Sequence, residues 1–164
     1  MKFLLILSVT TTLPFLSSAE EKANPPKPDT ATPPAAAAAK PVGDSHEGVW
    51  KPIAAVLGGV RLPPPALKAI TLKISGDNYE VTVEGEKEPD KGTCTLDHST
   101  TPKRMTIKGV EGPNRGKTIL AIFEKKDAVS MRVCYDLSGT EFPMEFKAPK
   151  GTQLYLVGYR RQAE

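Results

Sequence analysis

The sequence predicts an all-β domain: an eight-stranded antiparallel up-and-down barrel with one short helical turn. Three observations carry this. Between Gly48 and Arg161 short segments alternate apolar and polar residues. Turn residues separate those segments at short intervals. The series is also long enough to close on itself, which leaves no exposed sheet edge and can enclose a pocket. A seven-stranded sandwich is the competing architecture, since it draws on the same pattern.

Val49–Leu57 is the first expected strand, ended by Gly58-Gly59. Pro63 to Ile70 is expected to make the helical turn, because proline is tolerated at a helix start and Leu67 and Ile70 share a face. Thr71–Ile74 and Tyr79–Val83 flank Ser75-Gly76-Asp77-Asn78, a hairpin turn rich in residues that accept positive φ. In the second of these, Tyr79, Val81 and Val83 alternate with Glu80 and Thr82, so one face is buried and the other wet. Gly92–Asp97, Arg104–Gly109, Thr118–Glu124, Val129–Tyr135 and Gln153–Arg161 complete the set. Turn chemistry lies between them at Thr101-Pro102-Lys103, Gly112-Pro113-Asn114-Arg115-Gly116, Lys126-Asp127 and Leu137-Ser138-Gly139.

The chain begins with Lys2, an apolar run from Phe3 to Leu16, and Ser17-Ser18-Ala19. This pattern predicts a signal peptide, residues 1–19, cleaved after Ala19, and hence an exported protein in the periplasm, at the cell surface or secreted. The run is shorter than the roughly 20 apolar residues a spanning helix needs, so no membrane span is expected after cleavage. Residues 20–46, with Asn24-Pro25-Pro26-Lys27-Pro28 and Pro33-Pro34 before Ala35 to Ala39, have a composition that cannot offset the entropy of ordering. They are expected to be a disordered Pro/Ala-rich linker. Residues 47–164 then form the single folded domain, large enough for a core without metal or disulfide staples. The net charge is +3, and loss of Lys2 with the signal peptide leaves +2. So small a charge argues against nucleic acid as a partner.

Gly48-x-Trp50 opens the first strand and Arg160 and Arg161 close the last, an arrangement that resembles the lipocalin superfamily. The resemblance implies that Trp50 sits at the closed end of the barrel, with an arginine of the last strand packed over it as a cation–π contact of roughly 0.5–2 kcal/mol. More closely, the domain resembles the uncharacterised exported lipocalin-like domain family of planctomycete bacteria. The matching residues are Gly76-Asp77-Asn78-Tyr79, Gly92-Thr93 with Leu96-Asp97, Pro102-Lys103, Gly112 to Thr118, Arg132-Val133-Cys134-Tyr135 and Pro143-Met144-Glu145-Phe146. It implies the fold and the exported location. It implies no activity.

No catalytic constellation stands out, so the expectation is a protein that is not an enzyme. Glu111 to Thr118 nearly matches the phosphate-binding loop G-x-x-x-x-G-K-[ST]. Glu111 replaces the first glycine, however, and a strand-like run follows where a helix should begin, so a hairpin loop is expected. Cys94 and Cys134 could close a loop of about 40 residues worth roughly 3–4 kcal/mol. Strand parity sends Cys94 inward and Cys134 outward, and two separate, partly buried thiols are expected. His46 is placed at the end of the linker and His98 in a turn where Asp97 bonds its own backbone. No metal site is expected, because Asp97-His98 supplies two ligands at most. No nucleophile elbow G-x-S-x-G is present. Lys103, Arg104, Lys108, Arg115 and Lys117 are expected around the loops at one end of the sheet, as a solvated surface or as an attraction for an acidic ligand.

The inward-facing apolar residues are expected to be Tyr79, Val81, Met105, Ile107, Leu120, Ile122, Met131, Val133, Leu154 and Leu156. They either pack a solid core or leave a ligand cavity, for which about 300 Å³ is a usual lower size. The function expected is a non-enzymatic binding module, monomeric and without a cofactor, that takes a small apolar ligand in the barrel. The alternative is a protein–protein interaction or envelope-structural module with a filled core.

Overall fold

A computed structural model describes residues 45–163. Among them, nine strands and one helix follow in order: β1 (Gly48–Leu57), β2 (Val60–Arg61), α1 (Pro64–Ala69), β3 (Ile70–Ser75), β4 (Asn78–Val83), β5 (Asp90–Asp97), β6 (Lys103–Glu111), β7 (Thr118–Lys125), β8 (Ser130–Asp136) and β9 (Leu154–Arg161). From β3 to β9 each strand pairs antiparallel with the next, and β1 pairs with both β3 and β9. Eight strands therefore close into the expected up-and-down barrel. The two-residue β2 only extends β1 as a hairpin around Gly58-Gly59. The expected signal peptide and all but the last two residues of the expected linker lie outside the described residues.

α1 forms where the sequence places a helical turn. Pro63 precedes it in extended conformation, Pro64 and Pro65 occupy first-turn positions where a missing N–H costs nothing, and Leu67 is buried. The helix ends because Ile70 turns extended to begin β3 while its N–H still reaches the Leu67 carbonyl.

Strand direction defines two ends. The start of β1, the end of β9, the tight β3–β4 turn and the β5–β6 and β7–β8 loops lie at the base. The base is packed solid: Trp50, Phe123, Val133 and Val157 are almost completely buried. α1 and the β4–β5, β6–β7 and β8–β9 loops lie at the other end.

Register decides which side chains face inward. Met105 pairs with Ala121, Ala121 with Tyr135, and Tyr135 with Tyr155. Because facing partners share a face of the sheet, this row lies together inside the barrel. The neighbouring row, Arg104, Ile122, Cys134 and Leu156, lies outside. The expected inward positions of Leu120, Ile122, Leu154 and Leu156 are therefore corrected: β7 turns Ile119, Ala121 and Phe123 inward, and β9 turns Tyr155, Val157 and Tyr159 inward. Ile122 is nonetheless 1% exposed. A strap formed by the β8–β9 connection covers it: Phe142 stacks under Arg104 at 4.7 Å, Phe146 under Arg132 at 4.1 Å, and the Cys134 thiol donates to the Lys147 carbonyl at 3.3 Å.

Gly92 lies where β4, β5 and β6 approach closely. The β5–β6 register shifts between Lys91 and Gly92, and a Cβ on Gly92 would stand 2.0 Å from the Lys108 carbonyl oxygen and 2.8 Å from the Tyr79 ring. Backbone rather than a movable side chain blocks the space. Gly92→Ala is expected to destabilise the barrel by about 1–3 kcal/mol, the overpacking range, measured by urea denaturation; a change within about 0.5 kcal/mol would show that the strand can shift aside.

Candidate functional site

The barrel is not filled from end to end. Above the base lies a cavity of about 190 Å³. Its wall is mostly aliphatic, with Leu72 and Ile74 from β3, Val81 from β4, and Met105 and Ile107 from β6. The half-buried Ile70, Leu137 and Tyr155, with the more exposed Val83, place its opening at the end opposite Trp50. The volume is below the usual size of a drug-sized pocket but above the roughly 150 Å³ that accommodates benzene.

All four tyrosines of the chain, Tyr79, Tyr135, Tyr155 and Tyr159, line this one cavity. The Tyr135 and Tyr159 hydroxyls are 3.2 Å apart, and the Tyr135 and Tyr155 rings stack at 5.9 Å between centroids. The Tyr79 hydroxyl donates to Asp90 Oδ2 at 3.3 Å. Asp90 also accepts the Asn114 backbone N–H (3.2 Å) and side-chain amide (2.8 Å), which draws the β6–β7 loop over the cavity edge.

Burial keeps these phenols neutral. It pushes Tyr155 up to about 12, and pushes Tyr79 higher, with help from the Asp90 charge. Tyr135 and Tyr159 rise for the same first reason. Because the folded values lie above the unfolded value of about 10, this contribution to stability is present below pH 10 and lost as pH rises beyond it. Little tyrosinate absorbance is expected at about pH 11, and its growth should coincide with loss of the β-sheet circular-dichroism signal. Tyrosinate rising near pH 10 in a folded protein would contradict the burial.

Of the residues expected to face the interior, Tyr79, Val81, Met105, Ile107 and Met131 line the cavity. Val133 lies in the solid core beside Val157 rather than on the cavity wall. Leu120, Ile122, Leu154 and Leu156 lie outside it, for the register reason given above. Tyr135, Tyr155, Tyr159, Asp90 and Asn114 are among the lining residues not named as candidates from the sequence. Cross-strand pairing from Met105 would have found the first two.

The base carries the expected plug with one arginine only. Trp50 is 0% exposed, its indole N–H donates to the His46 carbonyl at 2.9 Å, and the Arg161 guanidinium stands 6.0 Å from the ring centroid. Gly48, at φ +120°, leaves room for that arginine: a Cβ there would meet Arg161 Nε at 2.6 Å. Arg160 is exposed and takes no part in the plug. His46, expected at the end of the linker, packs onto the barrel: it is 8% exposed, with its ring edge-on to Phe123 at 4.8 Å and 5.7 Å from the His98 ring.

The remaining candidates disperse. Lys103 and Arg104 begin β6 at the base, whereas Arg115 and Lys117 lie in the β6–β7 loop at the other end, so the basic residues form no single patch. In that loop the Arg115 and Gly116 amides bond the Gly112 and Gly109 carbonyls, and a strand follows, as a hairpin loop requires. Asp97 accepts the Ser99 amide and hydroxyl, and His98 packs against Phe123. Cys94 faces the cavity and Cys134 the strap, unbonded to each other, and burial pushes both thiols up. Among the described residues no group of three or more His, Cys, Asp or Glu could hold a metal ion. Compared with known proteins, the chain matches no family model, no curated sequence and no solved structure.

Proposed function

We propose that this is a binding module rather than an enzyme, taking a small, largely apolar molecule into the barrel through the end opposite Trp50. The observation that carries the reading is the apolar cavity of about 190 Å³ beside a base that is packed solid. Ordinary interiors leave few voids larger than a water molecule, so an unfilled space of this size needs a reason. The geometry suits a ligand of one ring or a short branched chain, in a module without a cofactor. The same reading includes export, from the Lys2 and Phe3–Leu16 pattern, and kinship with exported lipocalin-like domains, from Gly48-x-Trp50 and Arg161. Among the described residues no helix is long and apolar enough to cross a membrane.

Native mass spectrometry of protein purified from its host without detergent tests the reading. A discrete added mass that disappears on denaturation is expected, and a uniformly bare mass would count against a held ligand. A module that binds another protein through its surface is the second reading, favoured by the exposure of Ile53 (61%) and Val60 (67%) on the β1–β2 hairpin.

A further inference from the structure

The chemistry of the ligand can be taken one step further, on the footing of the ligand-binding reading above. The cavity wall is apolar or aromatic except where Asp90 and Asn114 enter it. Asp90 is held there by neutral donors alone: the Asn114 N–H at 3.2 Å, the Asn114 amide at 2.8 Å and the Tyr79 hydroxyl at 3.3 Å. Among the described residues, the ion pairs are Lys91–Glu80, Arg132–Glu124 and Lys147–Glu145, and none includes Asp90. Asp90 is half-buried at the cavity edge, so its carboxylate is a charged acceptor on an otherwise apolar wall. The four tyrosines add ring faces whose negative quadrupole attracts cations. Charge and rings thus favour the same kind of guest.

We propose that the cavity takes a small organic cation, an amine or ammonium on a compact apolar body. Its N–H groups donate to the Asp90 carboxylate, and its body lies among Met105, Ile107 and Tyr135. An anionic ligand of the same shape meets the Asp90 charge and is rejected. A neutral one fills the space but forms no charge-assisted bond.

The test is an NMR titration of the full chain with benzylamine, benzyl alcohol and benzoate, which share one ring and differ in charge at neutral pH. Benzylamine is expected to bind about tenfold or more tightly than benzyl alcohol, as a charge-assisted hydrogen bond implies, with benzoate weakest. Benzylamine and benzyl alcohol should displace one another. Asp90→Asn keeps an acceptor for Tyr79 while removing the charge, and should bring the two affinities to within about threefold. Should that variant fail to fold, the charge series on the unaltered chain decides the matter alone. Benzyl alcohol binding as tightly as benzylamine would overturn the cation assignment, leave Asp90 as only a fastening for the β6–β7 loop, and leave the ligand-binding reading intact. Binding of none of the three would overturn both.

Discussion

Replacing Trp50 by alanine is expected to lower the stability of the barrel by about 3–5 kcal/mol, the range of large aromatic truncations in a core. Three interactions are lost together, and their magnitudes rank them. The indole N–H bond to the His46 carbonyl is worth about 0.5–1.5 kcal/mol net. The Arg161 guanidinium, at 6.0 Å, lies at the outer limit of a cation–π contact and adds about 0.5 kcal/mol. Burial of the whole ring at 0% exposure supplies the rest, so packing rather than the arginine dominates. Arg161→Gln should accordingly cost about 1 kcal/mol or less, and Trp50→Phe an intermediate amount. Denaturant unfolding of the three variants checks the ranking. A Trp50→Ala loss below about 1 kcal/mol would show that the base is not a packed plug.

Asp136→Ala is expected to have the next largest effect, about 3 kcal/mol, because it removes a charged acceptor that several donors share. Asp136 is 4% exposed. Its two oxygens accept the amides of Ser138 (3.0 Å), Thr140 (3.0 Å) and Glu141 (3.1 Å), together with the Ser138 and Thr140 hydroxyls. These bonds fix the first residues of the strap that covers Ile122 and Cys134. Asp136→Asn, which keeps one carbonyl acceptor, should cost less. Burial by itself would raise the carboxyl, but the bonds from Ser138, Glu141 and Thr140 outweigh it and hold the value below the ordinary one. With the folded value depressed, this stability is fully present above the unfolded value of about 3.9 and is lost as pH falls through the lower, folded one. The difference in unfolding free energy between the natural protein and Asp136→Asn should therefore shrink below about pH 4. A difference that stays constant down to pH 2 would show that the charge of Asp136 is not what the loop requires.

The barrel was legible because most strands obey a simple rule, apolar toward the core and polar toward water. β4 shows it plainly, with Tyr79 and Val81 on the cavity between Glu80 and Thr82. β7 and β9 break the rule. Ile119 to Phe123 is an unbroken apolar run, with Leu120 and Ile122 on its outer face and Ile122 buried under the strap, and periodicity cannot assign a face to a run apolar on both sides. In β9, Leu154 and Leu156 look more core-like than Tyr155 and Tyr159, yet the tyrosines are inside, where the Tyr159 hydroxyl meets that of Tyr135. Parity there follows from the register with β8, which only the closed sheet fixes. Asp90 and Asn114 lie 24 residues apart and meet only because a loop folds back over the edge. His46 reads as linker by composition, and its neighbours Phe123 and His98 are distant in the chain.

The barrel is hollow above a solid base. Xenon is the most direct probe, since it enters apolar cavities without needing a polar partner. In a crystal pressurised with xenon, a density peak is expected inside the barrel among Met105, Ile107 and Tyr135, with none beside Trp50 and Phe123. An interior without xenon, closed by side chains that have moved into the space, would show that the barrel is filled.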